Sequence, residues 1–152
     1  MDQDAFRRTY RELNERFCVY EKSLLSRKCT CCKAKKLYIA EREGAHCTED
    51  EAQEQCLEFL GKLRHHARFA LKSNDLKAVL PHAQAMRLQV GGLRGLYLAL
   101  HGGEQAPEVV EDVFGLISQA KQTYEELDHF PFQTLIQQVA AYKSKRRSRR
   151  GS

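Results

Sequence analysis

Apolar residues recur at helical spacing along most of this chain, and the places where the rhythm stops mark its expected elements. Phe6, Tyr10, Leu13, Phe17, Tyr20 and Leu24 lie three or four residues apart and predict one long amphipathic helix over about residues 4 to 26. The stretch KAKKLYIAEREG runs on through Ala34, Leu37, Tyr38 and Ala40 to Gly44, a residue common just past a helix end, and predicts a short second helix. Thr48 followed by Glu51 has the spacing of a capping box, so a third helix is expected to start there. Its inner face would be Ala52, Cys56, Phe59, Leu63, Ala67 and Ala70.

After a turn at residues 73–75, the apolar run from Leu76 to Gly103 predicts a central helix, with Pro81 in its first turn or kinking it. Pro107 is expected to open a fifth helix with Val110, Val113, Phe114, Ile117, Tyr124 and Leu127 inside. Pro131 is expected to open a sixth, carrying Phe132, Leu135, Ile136 and Val139. Short links between such elements imply an all-α fold, an antiparallel helical bundle of five or six helices. Gly91, Gly92 and Gly95 break the pattern. Glycine costs about 1 kcal/mol against alanine inside a helix, so three in five positions call for close helix packing, a break, or backbone facing a ligand. Close packing is the favoured reading.

Length and charge narrow the picture. At 152 residues the chain reads as a single helical domain over 1–142 with a Cys-rich N-terminal half (18–56), followed by a basic disordered tail over 143–152. The opening MDQDAFRRTYRELNERF lacks the apolar run of a signal peptide, and no window reaches the roughly 18 apolar residues of a membrane span, so a cytoplasmic location without a membrane span is expected. The formal net charge of +5 comes largely from YKSKRRSRRGS. There Lys143, Lys145, Arg146, Arg147, Arg149 and Arg150 stand without an acid and suit a salt-sensitive contact with a protein partner or with nucleic acid. Arg8, Arg11 and Arg16 could extend that basic surface.

The cysteines change the picture most. All six, Cys18, Cys29, Cys31, Cys32, Cys47 and Cys56, fall in the first 56 residues, whereas thiols used only to fill a core would be spread along the chain. A reducing compartment disfavours a disulfide framework, which leaves metal binding or redox work. Soft thiolates bind iron–sulfur clusters and zinc, and either wants four sulfurs converging from separate backbone positions. Cys18 lies on the flank of the first helical stripe, Cys47 just before the third helix, and Cys56 two turns into it.

Structural zinc usually sits between two tight cysteine pairs, and only Cys29 and Cys32 make one here, with Cys31 inside the gap. An iron–sulfur cluster, of the 4Fe-4S kind, is therefore the leading expectation, with zinc the alternative cofactor. Arg27, Lys28, Lys33, Lys35 and Lys36 would offset the cluster's charge and lower the thiol pKa values. A dithiol redox protein built on Cys29 and Cys32 is a further reading, although the strand–helix–strand context of such proteins is missing.

Other chemistry is weaker. Glu43–His46 and Glu126–His129 have the Glu-x-x-His spacing of di-iron bundles, but both lie at predicted helix ends. His46, beside Cys47, is the candidate nitrogen ligand, and His65 and His66 read as exposed histidines. No phosphate-binding loop is present, and nothing points to a hydrolase or kinase. The expected function is that of a regulatory, accessory or electron-transfer metalloprotein, more a helper than a stand-alone enzyme; the rival is a zinc-stabilised module that binds nucleic acid or protein.

Overall fold

The computed structural model describes residues 16–39, 41–73 and 75–143. Its elements run α1 (Glu21–Leu25), β1 (Ala34–Ile39), β2 (Arg42–Cys47), α2 (Asp50–His66), α3 (His82–Met86), a π-helical turn (Arg87–Gly91), α4 (Gly92–His101), α5 (Val113–Tyr124), a 3-10 turn (Leu127–His129) and α6 (Phe132–Ala141). The fold is largely helical, but it is not the all-α bundle that periodicity predicts. Residues 34–47 form an antiparallel hairpin, with Ala34 opposite Cys47 and Ile39 opposite Arg42. The expected second helix is thus two strands, and Gly44 lies within one of them.

The physical reason lies in pairing. Leu37, Tyr38 and Ile39 are aromatic or branched residues that suit a pleated surface. Two residues connect the strands, and Glu41 takes the left-handed conformation there (φ 68°). The far edge of β2 is covered by the segment before α1, so that its backbone groups are also bonded. That segment corrects a second expectation. Residues 16–20 are not helical, so the described part of the proposed first helix shrinks to Glu21–Leu25. The remainder of the proposed helix, over 4–15, lies outside the described residues.

The other helices follow the apolar pattern more closely. Helix α2 buries Ala52, Cys56, Phe59 and Leu63. The expected capping box does not form: Glu49 takes the N-cap position without a side-chain bond, and the Thr48 hydroxyl donates to the Lys33 carbonyl oxygen at 2.9 Å. Pro131 caps α6, which buries Phe132, Leu135 and Val139. Pro107 opens no helix, since α5 begins at Val113 after an extended stretch.

From His82 to His101 the backbone stays helical, with α3 and α4 joined through the π turn, whose flanking residues keep right-handed helical angles. The π turn carries Gln89 into the interior, where it accepts a 2.6 Å hydrogen bond from the buried Ser23 hydroxyl of α1. Helix α4 lies flat against α6, and the glycines explain how. A Cβ on Gly91 would stand 2.7 Å from the Val139 Cα, and one on Gly95 would stand 2.8 Å from the Leu135 Cα. The two backbones approach where side chains have no room, so packing is the role of these glycines. One continuous core joins the two halves of the chain, from Tyr20, Cys29 and Cys56 through Phe59, Leu93 and Ile117 to Leu135 and Val139.

Candidate metal centre

Cys18 is carried on an extended segment. Phe17 pairs antiparallel with His46, the Cys18 amide donates to the Ala45 oxygen (2.9 Å), and the Cys47 amide donates to the Arg16 oxygen (2.6 Å). Side chains alternate across such a ladder, so Cys18, Ala45 and Cys47 share one face while Phe17 and His46 take the other. His46, the expected nitrogen ligand, is accordingly turned away from the face that carries the thiols.

A different set of bonds holds Cys31. The loop from Lys28 to Cys32 runs parallel to the chain entering α5. Val110 donates to the Lys28 oxygen (3.0 Å), Thr30 to the Val110 oxygen (3.0 Å) and Val113 to the Thr30 oxygen (2.8 Å). Asp112 completes the clamp from a left-handed backbone (φ 53°): its carboxylate accepts the Cys32 amide at 3.0 Å, and its own amide donates to the Thr30 hydroxyl at 3.1 Å. Cys56 comes from α2, which is tied to the first segment by the Gln53 side-chain amide donating to the Phe17 oxygen at 3.0 Å.

The result is a convergence. Cys18, Cys31, Cys47 and Cys56 line one small cavity of about 20 Å³, room for a single ion or water, whose other walls include Tyr20, Ala34, Ala52, Val113 and Phe114. Cys29 is buried beside it, 2 % exposed, close enough for the charge of Cys18 to bear on it. Cys32 is exposed, with its thiol on the Asp112 carboxylate. The two ends of the Cys29–Cys32 gap therefore diverge, one into the core and one to solvent. All six thiols are free.

Burial governs the electrostatics. It pushes the Cys18 and Cys29 thiols up to about 12, and it raises Cys56 and Cys31 as well. Backbone amides work against it: the Tyr20 N–H points at the Cys18 sulfur, and the Lys33 and Phe114 N–H groups point at Cys31. The lysines do not lower these thiols in the way the sequence suggests. Lys33 lowers the exposed Cys32, where burial and Asp112 outweigh it, and its amine is itself bound to Glu49 at 2.8 Å and lies over the Phe114 ring. Tyr20 is 1 % exposed, and burial together with the charges of Cys56, Cys29 and Cys18 holds its hydroxyl well above the usual tyrosine value.

Among the described residues no three Cys, His, Asp or Glu side chains are drawn together at the spacing of a closed metal site. The Cys47 thiol donates to the Glu49 carbonyl oxygen at 3.2 Å. The donor set nonetheless fits a soft metal: sulfur from four separate elements, an apolar lining, and amides aimed at two of the sulfurs. Metal binding to such thiols displaces their protons, which the apolar walls otherwise retain.

The remaining candidates fall elsewhere. Glu43 and His46 belong to β2, and Glu126 and His129 are exposed with their side chains 3.9 Å apart, so neither pair projects from mid-helix into a core. His65 and His66 are exposed, with His66 stacked on Phe132 at 4.1 Å. Of the basic tail, Lys143 is described and exposed, while Lys145, Arg146, Arg147, Arg149 and Arg150 lie outside the described residues. No described helix is long and apolar enough to cross a membrane. Asp112 and Tyr20 escaped the sequence reading as site residues, since Asp112 acts on a loop 80 positions away and Tyr20 reads as one more apolar stripe position. Comparison with protein-family models, with curated proteins and with solved structures found no match.

Proposed function

We propose that this chain is a small iron–sulfur protein in which Cys18, Cys31, Cys47 and Cys56 ligate the cluster, acting as an electron-transfer, regulatory or accessory factor. One observation carries the reading: four thiols from four separate chain segments line a single, otherwise mostly apolar cavity. Thiols buried only to fill space gain nothing from meeting one another, and here their mutual charges would oppose ionisation. The absence of a tight Cys-x-x-Cys pair at the cavity supports a cluster over a zinc knuckle. Backbone amides on Cys18 and Cys31 suit thiolates whose charge is spread over iron. In this reading the protein works in the reducing cytoplasm, and Lys143 with Lys145, Arg146, Arg147, Arg149 and Arg150 meets an acidic partner or nucleic acid.

A zinc-stabilised binding module is the second reading, and the cavity volume favours it, since about 20 Å³ takes one ion without further opening of the chain. One experiment separates the two. The protein is purified anaerobically, and the same sample is measured for visible absorption, iron, acid-labile sulfide and zinc. A coloured protein with iron and sulfide supports the cluster, whereas a colourless protein with one zinc replaces it. Serine at Cys18, Cys31, Cys47 or Cys56 is expected to abolish loading, and Cys32→Ser to leave it intact. Full loading of the Cys56→Ser chain would remove that residue from the ligand set and sink the four-thiol assignment.

A further inference from the structure

A cleft of about 540 Å³, the size of a ligand site, lies between the C-terminal half of α4 and the segment that enters α5. Tyr97, Val109 and Leu116 give it aromatic and apolar walls, and Glu111, Asp112 and Gln119 give it acceptors. Such a lining suits a guanidinium or ammonium group on its methylene stem: the ring face and the carboxylates attract the charge while the apolar walls cover the stem. The Asp112 carboxylate already accepts the Cys32 amide. Glu111 is exposed and makes no ion pair among the described residues, so its charge is left for a cation from elsewhere. Along residues 104–112 four carboxylates, Glu104, Glu108, Glu111 and Asp112, stand without a single Lys or Arg.

We propose that this cleft is the docking site of the chain's own basic segment, Lys143 to Arg150, whose six cations stand without an acid. The end of α6 delivers that segment beside it. The Arg94 guanidinium lies over the Tyr142 ring, 5.2 Å from its centroid, and donates to the Glu108 oxygen at 2.9 Å. Arg94 stands one turn before Tyr97 on α4, so the chain leaves the fold next to the aromatic wall of the cleft. Extended, the segment reaches about 26 Å, whereas the far end of the cleft at His101 is about 10 Å beyond Arg94 along α4. Tethering makes the docking intramolecular, so weak individual contacts suffice. An external polyanion then competes with residues 104–112 for the same cations. The proposal does not depend on what the thiols bind.

The test uses the full chain. A zero-length carbodiimide joins a lysine amine to a carboxylate in contact with it, forming an amide with net loss of water, and peptide mass spectrometry locates the link. Links from Lys143 or Lys145 to Glu104, Glu108, Glu111 or Asp112 are expected at low salt, with suppression at about 1 M salt, where the screening length is about 3 Å. In a mixture of isotope-labelled and unlabelled chains the links are expected within one isotope. Links that join the two isotopes put a neighbour's tail in the cleft and overturn self-docking. A short fluorescein-labelled single-stranded DNA supplies a second readout by anisotropy. Glu111→Gln releases the tail and is expected to tighten DNA binding about two- to fivefold more than Glu54→Gln, which makes the same charge change on an exposed position of α2. Equal effects of the two variants, or tail lysines linked to none of the four carboxylates, overturn the proposal.

Discussion

Gly91→Ala adds one methyl group where the π-helical turn leading into α4 meets α6, and the structure supplies the size of the intrusion. The new Cβ would lie 2.7 Å from the Val139 Cα, 2.8 Å from the Gln138 oxygen and 3.0 Å from the Val139 nitrogen, where ordinary contact begins near 3.4 Å. All three obstacles are backbone atoms of α6, so no rotamer change relieves the clash and the two helices must separate. Overpacking of a closed core costs roughly 1–3 kcal/mol, and a rigid obstacle puts this site at the upper end. Alanine returns about 1 kcal/mol of helix propensity, leaving a net loss of about 2 kcal/mol. For a chain of this size that lowers Tm by about 4–8 °C.

Gly61 provides the opposite case, because it sits exposed in α2 with nothing within 4 Å of its would-be Cβ. Gly61→Ala should therefore gain about 0.5–1 kcal/mol. Thermal unfolding followed by circular dichroism, with urea titration as a check, separates the two variants by sign. A Gly91→Ala protein as stable as the wild type would refute the close helix contact.

Ser23→Ala removes the donor to the buried Gln89 and should destabilise the chain by about 1–3 kcal/mol, read as a lower urea midpoint with an unchanged slope. Phe59→Ala empties a fully buried site packed on Phe130 at 5.5 Å, and a loss of about 3–5 kcal/mol is expected from the same titration. For Asp112, burial alone would raise the carboxyl, but the amide and thiol of Cys32 and the Gly115 amide outweigh it and hold the group below its usual value. A group lowered on folding stabilises the protein above the unfolded value of about 3.9 and loses that contribution as pH falls through the lower folded value. The gap in Tm between wild type and Asp112→Asn should thus be constant from pH 7 to about 5 and narrow below 4; a gap that persists at pH 3 would contradict the assignment. The same substitution removes the carboxylate that raises the exposed Cys32 thiol, so maleimide labelling of Cys32 at neutral pH should become faster, as mass spectrometry of the labelled peptide would show.

Much of the helical scaffold is legible in the chain alone. The stripe Ala52, Cys56, Phe59 and Leu63, the start of α6 at Pro131 and the packing role of Gly91 and Gly95 all follow from rules that act within one or two helical turns. So does the concentration of thiols, which marks where the chemistry would be. What the residues by themselves misread is the stretch from Arg16 to Cys47, where helix and strand patterns are close to balanced. Leu37, Tyr38 and Ala40 fit a helical face about as well as a strand, and the turn near Glu41 carries no Asn-Gly or Asp-Gly signature.

The decision there is tertiary. Strand β2 gains bonds from β1 on one side and from residues 16–18 on the other, and that second pairing, not any local preference, turns Cys18 and Cys47 to one face. Cys31 reaches the same cavity because Val110, Asp112 and Val113, some 80 positions further on, bind its loop. Residue type and local spacing determine which groups are available and how each helix faces the core. Which thiols meet depends on hydrogen bonds between segments far apart in the chain, and these leave no period in the sequence.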